Sequence, residues 1–300
     1  MLLEREDGKL TEDDRERVAV ELFAYQAEYN LAVAASKDVA LEKIVPSVRD
    51  DAWHRIARGK GVLFLHALRG KVGAREFDAL LDTFGTANAG KEVTTAAFRA
   101  HLGKGVEELF DRWYTKVGLP ESEQGRASGP FTVLSFYPEV ESTVIVYGTL
   151  DEEQANFDAA KKLQAALLRR GSNVKVEIKR DAEMTLAEHL GRHLLLVGRP
   201  ATHAVARDWA KEWPVKFGPA SVVVKGKAYA HADTGVLVAG KNPLDPRYSA
   251  VLVAGLSADA TVALASRFRD RGMSAGEVVL FVRGGAAKAM VVPKPARAAR

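Results

Sequence analysis

The sequence predicts an α/β protein in two parts, a helical bundle followed by a three-layer Rossmann-like or flavodoxin-like domain. Three observations carry this reading. Apolar residues recur three and four apart before residue 120, they gather into short β-branched runs after residue 131, and a polar Gly- and Pro-containing stretch separates the two regimes. The expected organisation is a helical domain over 1–120, a linker over 121–130, an α/β domain over 131–292 and a flexible basic tail over 293–300. No internal repeat is visible.

Within the helical half, Thr11 and Asp14 have the spacing of a capping box and precede Val18, Leu22, Tyr25 and Tyr29 at helical intervals. A second stripe, Trp53, Ile56, Val62, Leu65 and Leu68, runs until Gly73, where Phe77, Leu80, Leu81 and Phe84 start another helix. Thr94 or Thr95 caps the next, which holds Phe98 and Leu102. Leu109, Phe110 and Trp113 form an apolar cluster before Gly118-Leu119-Pro120. His66 lies on the second stripe and is expected to be packed and hydrogen-bonded. His54, His101, His203 and His231 have no motif around them.

Beyond the linker, Thr143–Tyr147 reads as a strand ending in Gly148-Thr149. An amphipathic helix (Phe157, Ala160, Leu163, Leu167) follows and is stopped by Gly171. The stretch 174–178 alternates like a strand. Leu194–Val197 ends in Gly198-Arg199-Pro200 and leads to a helix through Val205 and Trp209. Val222–Val224 and Val236–Ala239 suggest a hairpin or meander. Ala250–Ala254 leads through Ser257 to a helix with Val262, Leu264 and Phe268, and Glu277–Val282 is expected to be the last strand. Strands alternating with helices argue for a mostly parallel sheet covered on both faces.

Composition bounds the function. The 43 Lys and Arg residues against 39 Asp and Glu leave a net charge of +4, too small to argue for nucleic acid. With no cysteine there is neither a disulfide framework nor a thiolate site. No apolar run approaches the roughly 20 residues of a membrane span, and the first residues turn acidic too soon for a secretory signal. A soluble chain, cytoplasmic by default, is the expectation.

Gly148, Thr149, Gly198 and Arg199 each stand where a strand gives way to a helix. In an open parallel sheet such positions line the ligand crevice. No Gly-x-Gly-x-x-Gly or Walker loop accompanies them, so no nucleotide is implied; tight-turn glycine is the competing reading. Asn242, in the rigid loop 242–248, is a candidate for the rim of the same crevice. His189 and His193 have zincin spacing, but Leu190 replaces the glutamate and Gly191 lies between them, so the pair reads as straddling a helix end. Gly255-Leu-Ser257-Ala-Asp259 imitates a nucleophile elbow without its second glycine, and Ser257 reads as an N-cap with Asp259 favoured by the helix dipole.

Lys60-Gly61 through His66, Leu68 and Arg69 is followed in order by Gly73, Phe77, Gly90, Val93-Thr94-Thr95-Ala-Ala-Phe98, Phe110-Asp111-Arg112-Trp113 and Gly118-Leu119-Pro120. Over residues 15–120 this resembles the late helical part of the catalytic domain in the membrane alanyl aminopeptidase family of gluzincin zinc peptidases. The resemblance implies a thermolysin-like remnant and aminopeptidase-type peptide hydrolysis. In the family, two histidines of a His-Glu-x-x-His helix and a later glutamate hold zinc, and the motif glutamate serves as base. That motif is absent here, so this chain is expected to hold no cofactor, with zinc and a peptide substrate entering only if an upstream peptidase segment is supplied. The family's oxyanion tyrosine aligns with Arg58, whose reach and charge differ. Lys60 and Gly61 transfer as part of a helix start and Trp113 as a packing residue; no catalytic residue transfers. Two functions follow as expectations: an inactive part of a zinc aminopeptidase, or a non-catalytic binding or scaffold module.

Overall fold

Thr11 and Asp14 form the capping box that their spacing suggests. Asp14 N–H donates to Thr11 Oγ1 at 3.1 Å and Thr11 N–H to Asp14 Oδ2 at 3.2 Å, opening helix α1, Glu12–Ala34. The structure, a computed structural model, describes residues 10–103, 105–120, 130–169, 174–269 and 275–293. The sequence segments read as linker and tail therefore fall outside the described residues, apart from Pro130 and Pro293. The chain forms two compact units, Tyr25–Ala127 and Met1–Ala24 with Ser128–Arg300. Helix α1 contributes to both, so its first half groups with the α/β part rather than with the helices that follow it.

The helical unit continues with α2 (Ala52–Val72), α3 (Ala74–Ala87), α4 (Thr95–Leu102) and α5 (Glu107–Tyr114). Ile56, Lys60, Leu63, Phe64 and Leu68 make the buried face of α2, which meets Phe110 and Trp113 of α5 through Phe64. Val62 and Leu65 are half-buried, Leu81 is exposed, and His66 is exposed rather than packed. The reason is angular: His66 lies off the arc that Ile56, Leu63 and Phe64 define. Lys60-Gly61 also departs from expectation, because it sits in mid-helix and not at a helix start. The helix tolerates the glycines for different reasons. A Cβ at Gly59 would come within 2.6 Å of the Tyr25 carbonyl oxygen and 2.9 Å of Tyr29 Cβ, so two helices cross there at backbone distance, whereas Gly61 faces open space.

In the α/β unit the elements alternate: β1 (Thr143–Tyr147), α6 (Glu153–Arg169), β2 (Glu177–Arg180), α7 (Leu186–His189), β3 (His193–Val197) and α8 (Ala204–Asp208). Three short strands follow, β4 (Lys216–Gly218), β5 (Ser221–Val224) and β6 (Lys227–Tyr229), then β7 (Gly235–Lys241), β8 (Ser249–Gly255), α9 (Ala258–Ser266), β9 (Val278–Phe281) and β10 (Ala287–Met290). The main sheet has the order β10-β9-β7-β8-β3-β1-β2. Strands β2, β1, β3 and β8 are parallel, while β7 pairs antiparallel with β8 and β9, and β10 antiparallel with β9. The sheet is thus mixed instead of mostly parallel, because the 242–248 connection is too short for the crossover of a dozen or more residues that parallel neighbours need.

Two further expectations are corrected. Val222–Val224 and Val236–Ala239 form no hairpin; the first lies in a separate antiparallel sheet, β4-β5-β6, and the second in the main sheet. Nor is the strand at 277–282 the last, since β10 follows. One face of the main sheet, carrying Val144, Leu196, Val236 and Leu252, is covered by Trp213, Val215, Val222 and Val224 around the small sheet. Helices α6 and α9 pack together and cover β1, β3, β7 and β8. Among the described residues no helix is long and apolar enough to cross a membrane.

The two α2 glycines give a paired test. Gly59→Ala should destabilise the protein by about 1–3 kcal/mol through forced backbone shifts despite alanine's better propensity. Gly61→Ala should stabilise it by about 0.5–1 kcal/mol. Urea unfolding of both variants reads the opposite signs.

Candidate functional site at the carboxyl edge of the parallel strands

Successive crossovers leave β1 in opposite directions, to β2 on one side and from there to β3 on the other. The carboxyl ends of β1 and β3 therefore flank the topological switch point where open α/β sheets place ligands. Four of the five crevice residues read from sequence gather at this edge: Gly148 and Thr149 after β1, Gly198 and Arg199 after β3. Asn242 does not. It follows β7, which runs against β8, and so lies at the opposite edge, donating from Nδ2 to His189 O at 2.6 Å and Arg192 O at 3.2 Å. Its Oδ1 accepts from Leu244 N at 3.0 Å, which makes it a turn organiser.

Protein atoms fill the switch point. Gly148 N–H donates to Val197 O at 3.0 Å and Leu150 N–H to Thr202 O at 3.1 Å, joining the two loops directly. A Cβ at Gly148 would stand 2.7 Å from His203 Cα, and one at Gly198 3.1 Å from the Asn156 amide. Asn156, fully buried, donates to Gly148 O at 3.0 Å and Asp151 O at 3.2 Å.

Two residues that no sequence motif marks organise this closure. Asp181 immediately follows β2, and its buried carboxylate accepts from Thr149 N at 3.1 Å, Thr149 Oγ1 at 2.6 Å and Ala204 N at 2.6 Å. His203 caps α8: Nδ1 accepts from Ala206 N at 3.3 Å, which leaves Nε2 to donate to Val146 O at 3.1 Å. That pattern requires a neutral ring, and burial pushes the imidazole down to about 4. An acid directly after a strand was the available signal for Asp181; His203 had none. Arg199 makes a bidentate pair with Glu152 at 2.9 and 2.7 Å, and Glu152 holds a left-handed φ of 54°.

The two histidines at zincin spacing separate as their sequence suggests. His189 ends α7, buried edge-on to Trp209 with a ring-centroid distance of 5.5 Å. His193 opens β3, accepting at Nδ1 from Ser249 N at 3.0 Å and facing Glu139 Oε2 from Nε2 at 3.4 Å. Ser257 is the N-cap of α9, accepting from Ala260 N at 3.2 Å. Among the described residues, no three of His, Asp and Glu are grouped to hold a metal.

In the helical unit, Arg58 pairs with Glu28 at 3.0 Å and lies over the Tyr25 ring at 5.3 Å. Lys60 is buried and donates to Lys116 O at 2.5 Å; desolvation lowers its pKa, opposed by the charge of Asp38. Asp38 in turn accepts from the Tyr29 hydroxyl at 2.6 Å and Gly118 N at 3.0 Å, and burial with this bond pushes the phenol upward. Trp113 is buried beside Phe64. Compared with known protein families and with curated proteins, the chain matches none.

Two outcomes follow. Asp181→Ala strands three donors and should cost about 3 kcal/mol or more, taking about 1–3 kcal/mol for each unsatisfied group and allowing for partial rescue by water; chemical denaturation measures it. The His203 effect has a defined sign. The unfolded ring takes up a proton near about pH 6.5 while the folded ring does not until about 4, so stability is complete above about 6.5 and is lost as pH falls. His203→Asn should flatten the stability profile between those two values relative to the parent.

Proposed function

We propose that this chain is a non-catalytic part of a zinc aminopeptidase-type protein, a scaffold and binding module in which neither unit carries out chemistry. The observation that carries this reading is the filled switch point. The crevice in which an α/β sheet ordinarily holds a small molecule is occupied by Asp181, His203 and Asn156, which are hydrogen-bonded to backbone. On this reading the α/β unit is a Rossmann-like or flavodoxin-like framework kept for its surfaces.

The ordered run from Lys60 to Pro120 supports descent of the helical unit from the late part of a gluzincin catalytic domain. Arg58, in the place of the oxyanion tyrosine, pairs through Nη1 with Glu28 and lies over the Tyr25 ring, so the family's neutral hydroxyl donor is replaced by a charged group engaged with a carboxylate. With no His-Glu-x-x-His in the sequence, zinc chemistry would need ligands from another polypeptide segment.

The purified chain, incubated with zinc and an alanyl anilide, should release no product. Arg58→Tyr should leave that result unchanged, because restoring one donor does not supply the metal ligands. Chelator-sensitive turnover by either protein overturns the proposal.

A further inference from the structure

We propose that the cavity beside α9, past the carboxyl end of β8, binds a small zwitterion: an ammonium and a carboxylate on an apolar body, as in leucine or a short apolar peptide. This names a ligand class for the binding-module reading and rests on it.

Position is the first part of the case. Asp181, His203 and Asn156 close the carboxyl edge at β1 and β3. Strand β8 is the next parallel strand, and a cavity of about 330 Å³ opens at its end. There Gly255 pairs with Gly235 of β7, and Gly235 with Phe281 of β9. Leu264 of α9 and Phe281, both buried, give the cavity an apolar floor, and Ala263 is exposed beside them. The volume is at the lower end of the range for small-molecule pockets, roughly 300–1,000 Å³, so the occupant is small.

Charge is the second part. Among the described residues, Asp233, Asp259, Arg267 and Arg283 line the cavity, two of each sign. Two of them are committed. Arg267 donates to Gly284 O and lies over the Phe281 ring at 5.3 Å, and the Asp233 carboxylate lies 3.8 Å from His231 Nδ1. Asp259 and Arg283 share the cavity but form no ion pair, with each other or with any other described residue. Both are held in place by backbone. Asp259 stands in the first turn of α9, which favours a carboxylate. Arg283 keeps a left-handed φ of 52° in a turn where Gly284 N–H donates to Asp233 O at 3.0 Å and Gly285 N–H to Val282 O at 2.9 Å. That conformation suits glycine, and the arginine there sets a guanidinium at the cavity. A ligand of one charge would meet a like charge in the same space. One uncommitted acid and one uncommitted base suit a ligand that brings both signs, and the floor suits a hydrocarbon side chain.

The test is isothermal titration calorimetry of the full chain with L-leucine, with N-acetylleucine, which lacks the ammonium, and with leucinamide, which lacks the carboxylate. Leucine should bind saturably, and each blocked form at least about tenfold more weakly, as the loss of one contact to a charged group implies. Asp259→Asn should weaken leucine and erase its advantage over N-acetylleucine while keeping that over leucinamide. Arg283→Gly should do the opposite. Glycine fits the local φ, so this variant should unfold no earlier than the parent, and its loss of binding is not a loss of fold. A dileucine titration separates the two sources: tighter binding of dileucine assigns a short peptide, and tighter binding of leucine a free amino acid. Binding of neither, equal binding of the blocked forms, or variants that keep the parent's preferences overturn the proposal. Cleavage of an alanyl anilide by a chain that binds leucine refutes the non-catalytic reading and leaves the site standing; absence of both binding and cleavage does the reverse.

Discussion

The Asp181 carboxylate sets the geometry of the sheet's carboxyl edge. A buried charge costs several kcal/mol unless its oxygens are satisfied, and here they are satisfied by backbone and hydroxyl donors from the loop after β1 and from the first turn of α8. Meeting those donors draws both segments over the end of β1. Once they are there, His203 has only one place for its ring, Gly148 can carry no side chain, and the Asn156 amide becomes the partner of the Gly148 carbonyl. Glycine at 148 is therefore a response to close approach of backbone, and its functional appearance in the sequence has a structural cause.

Buried histidines repeat this logic at both edges. His203 joins β1 to α8 at one end, and at the other His193 links β3 to β8 through Ser249 while Nε2 faces Glu139. The His203 ring uses one nitrogen as donor and the other as acceptor between two backbone segments, whereas His193 meets backbone on one side and a carboxylate on the other. A Ser–His–Glu set that could pass for a catalytic triad is, with Ser249 and His193 completely buried, a strut between strands.

How much was legible follows the same physics. Strands β1, β3 and β8 are readable because strands covered on both faces become unbroken Val, Leu and Ile runs. Their very uniformity hides pairing, since a run apolar on both faces carries no register or direction. The direction of β7 was recoverable only from the short 242–248 loop. Strand β10, Ala-Lys-Ala-Met, has no β-branched residue and gives no signal at all. At the candidate site, turn glycines were visible, whereas Asp181 and His203 meet through two crossovers that no local pattern encodes. Asn242 lies at the opposite edge because loop chemistry encodes a turn and not the edge on which the turn falls. His66 shows that an apolar stripe read by eye is wide enough to take in a neighbour that points to solvent.

Helix α1 and strand β10 stand near opposite ends of the sequence, yet the first half of the one and the whole of the other belong to a single unit. On the ribosome, chains emerge from the amino terminus at about 5–20 residues per second. The first helix leaves the exit tunnel long before the last strand exists, and its Lys225 and Lys288 counter-ions arrive late. Until then its amino half depends on its own capping box and acidic first turn. Nascent-chain assembly of this unit therefore closes on a helix made well before the strand that completes it.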